Sequence, residues 1–178
     1  MLKLLIIADD FTGALDTGVQ FSSRGAKTKV ITDPQYNLSL ANELDVLVLD
    51  SETRHLASEK AYEIVNNFVK RVVSRFSNIN IYKKTDSELR GNIGSELSAA
   101  MDAIGVDKMA FIPAFPAMNR VTKNSIHYID GVQVAQSVFG KDPFESVKNS
   151  DVNVVLAEQT DKKGIKIYDS DSDYVNRC

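Results

Sequence analysis

The chain has 178 residues, 43% of them hydrophobic and 25% charged, with a formal net charge of -3. That composition suits a globular domain with a real core and excludes a disordered segment. The acidic balance gives no electrostatic case for nucleic acid or an anionic membrane surface, so neither is expected as a partner. The one cysteine, Cys178, stands at the last position and cannot form an internal disulfide, which suits a reducing compartment. The opening "MLKLLIIADD" is too short an apolar run for a signal peptide and meets two aspartates. No run approaches the ~18 apolar residues of a membrane span. A cytoplasmic protein is expected, and a homo-oligomer is left open.

The elements follow in chain order. "LLIIA" (4–8) is a continuous apolar run of the kind buried on both faces of a parallel sheet, which predicts a strand. A helix follows, with Leu15 and Val19 expected on its buried face. "TKVIT" and "DVLVLD" (45–50) are the second and third predicted strands. Ala61, Ile64, Val65, Phe68, Val69, Val72, Val73 and Phe76 recur at steps of three and four, which predicts an amphipathic helix with Ser58 as its N-cap. "INIYK" (79–83) reads as a fourth strand. Ile93, Leu97, Ala100, Met101 and Ile104 form a helical stripe that stops at Gly105. "KMAFIP" (108–113) is a fifth strand. This alternation predicts an α/β fold, a three-layer αβα domain with a mostly parallel sheet.

The pattern then changes. Asp130-Gly131 between β-prone residues predicts a small β-hairpin insertion near 125–134. "SDVNVVLAEQ" predicts a short helix capped by Ser150, and "GIKIYD" (164–169) a last strand. The ending "SDSDYVNRC" reads as the first turn of a helix that then stops, so residues 1–178 are expected to form a truncated domain.

In open α/β sheets, ligands bind beyond the carboxyl ends of the strands. Those ends carry Asp9-Asp10, Asp50 with Arg54 close behind, and the run Lys84 to Arg90. Asp9 and Asp10 suit substrate hydroxyls, and Thr12 and Gly13 open a helix, but Asp10 or Thr12 serves equally well as an ordinary N-cap. Adjacent aspartates do not give the Asp-x-Asp spacing of haloacid-dehalogenase-type phosphatases. "GNIGSE" lacks the lysine of a phosphate-binding P-loop. Arg90 suits a planar anion and Asp86 a hydroxyl or a base, against the plainer reading that Lys84 and Arg90 neutralise Asp86. Arg54 reads either as an anion ligand or as a surface ion-pair partner. His55 reads as packed or solvated, and His127 has no evident partner in the sequence. Two histidines and a terminal cysteine make no metal constellation. "DSDSD" (169–173) lacks the rest of a calcium loop. "PAFPAMNR" is either a shaped wall from which Arg120 reaches a site or a rigid connection.

Taken together, "ADDFTGALDTG", "KKTDSELRGNIGSEL" and "PAFPAMNR…YIDGV" resemble the N-terminal signatures of the four-carbon acid sugar kinases, and "DSETRHL" resembles a fourth. The motifs occur in the family's order and span residues 4 to about 131. The resemblance implies phosphorylation of threonate, erythronate or 3-oxo-tetronate by ATP with Mg2+. It also implies two domains, the first for the sugar acid and the second, not in this chain, for the nucleotide. The chain by itself is therefore expected not to turn over ATP. By resemblance, Asp10, Arg54, Lys84, Thr85, Asp86 and Ser87 bind the substrate, with Asp9 and Arg90 as neighbours, and Asp86 or Asp10 takes the hydroxyl proton. Glu88, Asn119 and Asn124 depart from the family's pattern, which has glycine near the two asparagines; Asn tolerates a left-handed turn. A stand-alone sugar-acid-binding module and a scaffold for protein partners are the other two readings.

Overall fold

A computed structural model describes residues 1–170. The chain divides into two compact units, Met1–Thr85 with Ser95–Gly105, and Asp86–Gly94 with the described part of Val106–Cys178. Among the described residues no helix is long and apolar enough to cross a membrane. The predicted helical turn at the C-terminus lies outside the described residues.

The first unit is a parallel α/β layer structure. Its strands are β1 (Leu4–Ala8), β2 (Thr28–Ile31), β3 (Val46–Asp50) and β4 (Asn80–Lys84), and they pair in the order β2-β3-β1-β4. All three pairings are parallel. Leu5, Ile7, Leu47 and Leu49 on one face and Ile6 and Val48 on the other are fully buried, so both faces of the sheet are covered. This is why the strands read as continuous apolar runs rather than alternating ones.

α1 (Phe11–Ser22) packs through Gly13, Ala14 and Gly18, whereas Leu15 and Val19 are 44% and 52% exposed. The expected apolar face is therefore the outer one. The reason is close approach: a Cβ on Gly18 would stand 3.2 Å from Val30 Cγ2 and 3.5 Å from Val48 Cγ2. Small residues let the helix backbone rest on the sheet, and apolar periodicity does not register them. α2 (Ser58–Arg75) buries Ala61, Val65, Phe68, Val69 and Val72 as predicted. Its N-cap is Ala57, not Ser58, and makes no side-chain cap bond. The Ser58 carbonyl accepts a bond from the Ser95 hydroxyl at 2.9 Å, on α3 (Ile93–Ile104). Gly105 ends that helix at φ +74°.

The second unit carries two small sheets. β5 (Met109–Phe111) pairs in parallel with β9 (Ile165–Ile167) and does not join the four-stranded sheet. The predicted hairpin is part of an antiparallel meander of β6 (Arg120–Lys123), β7 (Ile126–Ile129) and β8 (Val132–Gln133). Asp130 and Gly131 sit at φ +50° and +79°, and Asn124 and Ser125 at +50° and +63°, so both turns use two consecutive left-handed residues. Asn119 is also left-handed, at φ +54°. Both asparagines thus adopt the conformation expected of glycine-like positions. α4 (Val152–Gln159) is capped by Asp151, whose side chain accepts from Asn153 N at 2.8 Å. Ser150 is not the cap because its hydroxyl accepts from Ala135 N at 3.0 Å.

Candidate functional site

In the first unit, one cluster of charge grows out of the sheet's C-terminal edge. Asp50, Ala8 and Lys84 are register partners at the ends of β3, β1 and β4. The connection leaving β1 runs through α1 towards β2, and the one leaving β3 runs through α2 towards β4 on the other side. Right-handed crossovers in opposite directions put α1 and α2 on opposite faces. The gap between β1 and β3 is therefore the topological switch point, where such sheets bind ligands. Asp9-Asp10 follow β1 and Arg54 follows β3.

These residues meet. Arg54 Nε donates to Asp9 Oδ2 at 2.8 Å, and its Nη1 lies 2.8 Å from Asp10 Oδ2. The Arg54 side chain is 9% exposed and that of Asp9 4%. Asp10 turns its other oxygen to the helix, accepting from Gly13 N at 2.8 Å, and so is the N-cap of α1. Around them, Ser51 Oγ donates to the Ala8 carbonyl at 2.7 Å and lies 2.8 Å from Thr53 Oγ1. Burial first, then the neighbouring Glu52 charge and the more distant Asp10, push the Asp50 carboxyl up to about 6. Asp9 Oδ1 is buried and takes no hydrogen bond among the described residues.

Lys84 is differently placed. Its Nζ donates to the Thr85 carbonyl at 2.6 Å, and among the described residues no carboxylate pairs with it. The Nζ lies 3.7 Å from where a Cβ on Gly13 would stand, so the glycine leaves the lysine room beside the helix start. The preceding residue faces the interior: Lys83 Nζ forms a 2.5 Å ion pair with Glu96, both side chains 1% exposed, and donates to the Lys84 carbonyl at 2.7 Å.

The second unit holds the rest of the motif in a tight loop. Arg90 grips Asp86 through two nitrogens, Nε to Oδ2 at 2.7 Å and Nη2 to Oδ1 at 3.1 Å, a bidentate pair. Arg90 also reaches Glu88 at 3.2 Å. Arg120 donates to Glu88 Oε1 from Nε at 2.9 Å and Nη2 at 2.6 Å, and to the Met118 carbonyl at 2.8 Å. Burial, with Asp86 adjacent, raises the Glu88 pKa against the opposing pull of Arg120. His127 is fully buried, its Nε2 2.9 Å from the Ser87 carbonyl and its Nδ1 3.0 Å from Thr122 Oγ1. Burial lowers its pKa, which keeps the ring neutral at pH 7.

The model of the sugar-binding N-terminal domain family matches residues 4–173. A D-threonate kinase of Salmonella typhimurium is 34% identical over 160 residues, covering 90% of this chain and 37% of that protein. The chain belongs to the sugar-binding N-terminal domain family. A D-erythronate kinase of Heliobacterium modesticaldum is 33% identical over 162 residues, again 90% of this chain and 37% of the relative. This sugar-binding domain thus spans less than half the length of the curated relatives it matches. A domain of unknown function from Bordetella bronchiseptica, a domain-swapped dimer with bound citrate, superposes with a TM-score of 0.84 at 27% identity, over 97% of this chain and 49% of that one.

Within the family frame, the structure gathers Asp9, Asp10 and Arg54 into one ion-paired cluster on the edge that also carries Lys84, with Thr85 as its acceptor. Asp86 and Arg90 pair with each other in the second unit, and Ser87 Oγ lies 3.3 Å from Glu88 Oε1. Three expectations change. Arg54 is a buried partner of two carboxylates rather than a surface one. Arg120 is held by Glu88 and the Met118 carbonyl. His127 has two partners that sequence spacing does not show: Thr122 is brought opposite it by the β6–β7 pairing, and Ser87 lies 40 residues away in the loop after β4. Among the described residues no three His, Cys, Asp or Glu side chains are grouped to hold a metal.

Proposed function

We propose that this chain is the sugar-acid-binding part of a kinase that phosphorylates a hydroxyl of a four-carbon sugar acid: threonate, erythronate or 3-oxo-tetronate. The observation that carries the reading is the Arg54 clamp on Asp9 and Asp10 at the switch point, with Lys84 unpaired by any described carboxylate on the same edge. The division of labour is chemical. Arg54 is spent on holding the two aspartates, so Lys84 is the cation left for the substrate carboxylate. Asp10 and the unpartnered Asp9 Oδ1 are acceptors for sugar hydroxyls. Thr85, Asp86, Ser87 and Arg90 enter through their motif, and the proton acceptor is Asp10 or Asp86. The citrate of the Bordetella structure, a hydroxylated carboxylate, favours the same ligand class.

ATP and Mg2+ belong to this reading as the phosphoryl donor and its counterion. Mg2+ bound with the nucleotide would neutralise charge developing on the transferred group. A stand-alone binding module is the alternative. A coupled ADP-release assay with D-threonate and D-erythronate, on the chain alone and on a polypeptide as long as the curated relatives, separates the two. Substrate-dependent ADP release by the longer polypeptide only is expected. Sugar-acid binding with no ADP release from either favours the binding module, and release by the chain alone contradicts the division of roles.

A further inference from the structure

Residues 86–90 hold a strained conformation. Leu89 is a buried leucine at φ +66°, a region that costs a branched-chain residue energy unless its surroundings hold it there. Three tethers hold it: Arg90 on Asp86, Arg120 on Glu88, and His127 on Ser87. The first is a side-chain pair within the loop, and the second joins the Glu88 side chain to Arg120 on β6. The third reaches the backbone in the middle of the Thr85-Asp86-Ser87 motif.

The His127 bond is defined by simple chemistry. A carbonyl oxygen only accepts, so Nε2 carries the hydrogen and donates to Ser87. Nδ1 of the neutral ring is then the acceptor for the Thr122 hydroxyl. Thr122 is the residue directly opposite His127 across β6–β7 and is itself 1% exposed. The Thr122 amide and carbonyl are in turn bonded by Ser170. A rigid strand pair therefore sets the tautomer and orientation of a ring whose other nitrogen holds the loop. A core histidine kept only for packing would not need the ε tautomer.

We propose that His127 is a positioning residue: its Nε2–H fixes the Ser87 carbonyl, and so sets where Asp86 and Ser87 present their side chains to the sugar acid. This rests on the reading of Asp86 and Ser87 as substrate-binding positions. It extends that reading to a residue in the β6–β8 meander, and gives the meander the role of a template for the motif.

The test uses the whole chain and three variants. His127→Gln keeps a donor near the Nε2 position, His127→Leu removes it, and Thr122→Val removes the hydroxyl that orients the ring. Amide exchange is read at Leu89 and Arg90, which bond to Asp86, with Met109 and Tyr168 in the β5–β9 pair as controls. At least tenfold faster exchange at Leu89 and Arg90 relative to the controls is expected in His127→Leu. A smaller change of the same kind is expected in Thr122→Val, and near wild-type protection in His127→Gln. Uniform acceleration in all four amides, or none, overturns the proposal. Calorimetric titration with D-erythronate and D-threonate forms the second arm, with at least tenfold weaker binding expected in His127→Leu and recovery in His127→Gln. Selective loop loosening with undiminished sugar-acid affinity also overturns it. Failure of the wild type to bind either acid counts against the functional reading alone, because the exchange arm still decides whether His127 holds the loop.

Discussion

Replacing Arg54 by alanine strands two carboxylates. Asp9 is buried, with its side chain 4% exposed, whereas Asp10 is 26% exposed and can be rehydrated. Removing one partner of a buried pair costs ~3–5 kcal/mol, and the accessibility of Asp10 places this case near the lower end, about 3 kcal/mol. For a chain of this size each kcal/mol moves the melting midpoint by roughly 2–4 °C, so Arg54→Ala is expected to lower it by roughly 6–12 °C. Urea unfolding followed by circular dichroism measures the loss, with coincidence of probes checked because the chain has two compact units. A double-mutant cycle with Asp9→Asn should return a coupling of about 2 kcal/mol or more. A loss below about 1 kcal/mol with no coupling is what an exposed pair would give, and would refute the argument that Arg54 organises this edge.

Three further perturbations probe other parts of the structure. Asp50→Asn should stabilise the chain at neutral pH. With its folded pKa raised to about 6, the carboxyl binds more protons folded than unfolded between its ordinary 3.8 and that value, so stability falls as pH rises through this window. The upper bound is about 3 kcal/mol at pH 7, and a variant whose stability matches the wild type at both pH 4 and pH 7 would contradict it. Lys83→Met should cost ~3–5 kcal/mol by leaving Glu96 buried and uncompensated, while Lys83→Met with Glu96→Leu should restore most of it, as read by urea midpoints. Gly13→Ala puts a Cβ 2.6 Å from Asp10 Oδ1, so loss of the α1 cap should cost about 1 kcal/mol, and an unchanged midpoint would show that the cap rearranges freely.

The parallel sheet was legible because strands buried on both faces leave uninterrupted apolar runs, and Leu4–Ala8 and Val46–Asp50 are such runs. The buried face of α1 was not, because Gly13, Ala14 and Gly18 pack by being small, and the larger Leu15 and Val19 drew the reading outward. Caps were misplaced by one residue where a hydroxyl had two possible tasks, as at Ser150, which serves Ala135 while Asp151 caps. β6 was missed because "RVTK" is short and polar, and its only strong signal is its partner β7. Of the candidate site, the positions after the strands were readable from topology alone. The pairing was not: nothing local says that Arg54 turns to Asp9 and Asp10 while Lys84 turns to a carbonyl, since these choices depend on which strands are neighbours.

The central claim is that this sugar-binding domain recognises a four-carbon acid through Lys84 as the cation and the Arg54-ordered aspartates as hydroxyl acceptors. Isothermal titration of the chain with D-erythronate, D-threonate and the uncharged tetritol erythritol, repeated on Lys84→Met, tests it most directly. A hydrogen bond to a charged group is worth ~1.5–3 kcal/mol, so Lys84→Met should weaken binding of the acids roughly ten- to hundredfold. Erythritol should bind the wild type no better than the acids bind the variant. Equal binding of erythritol and erythronate, or unchanged affinity for the acids in Lys84→Met, would contradict the account.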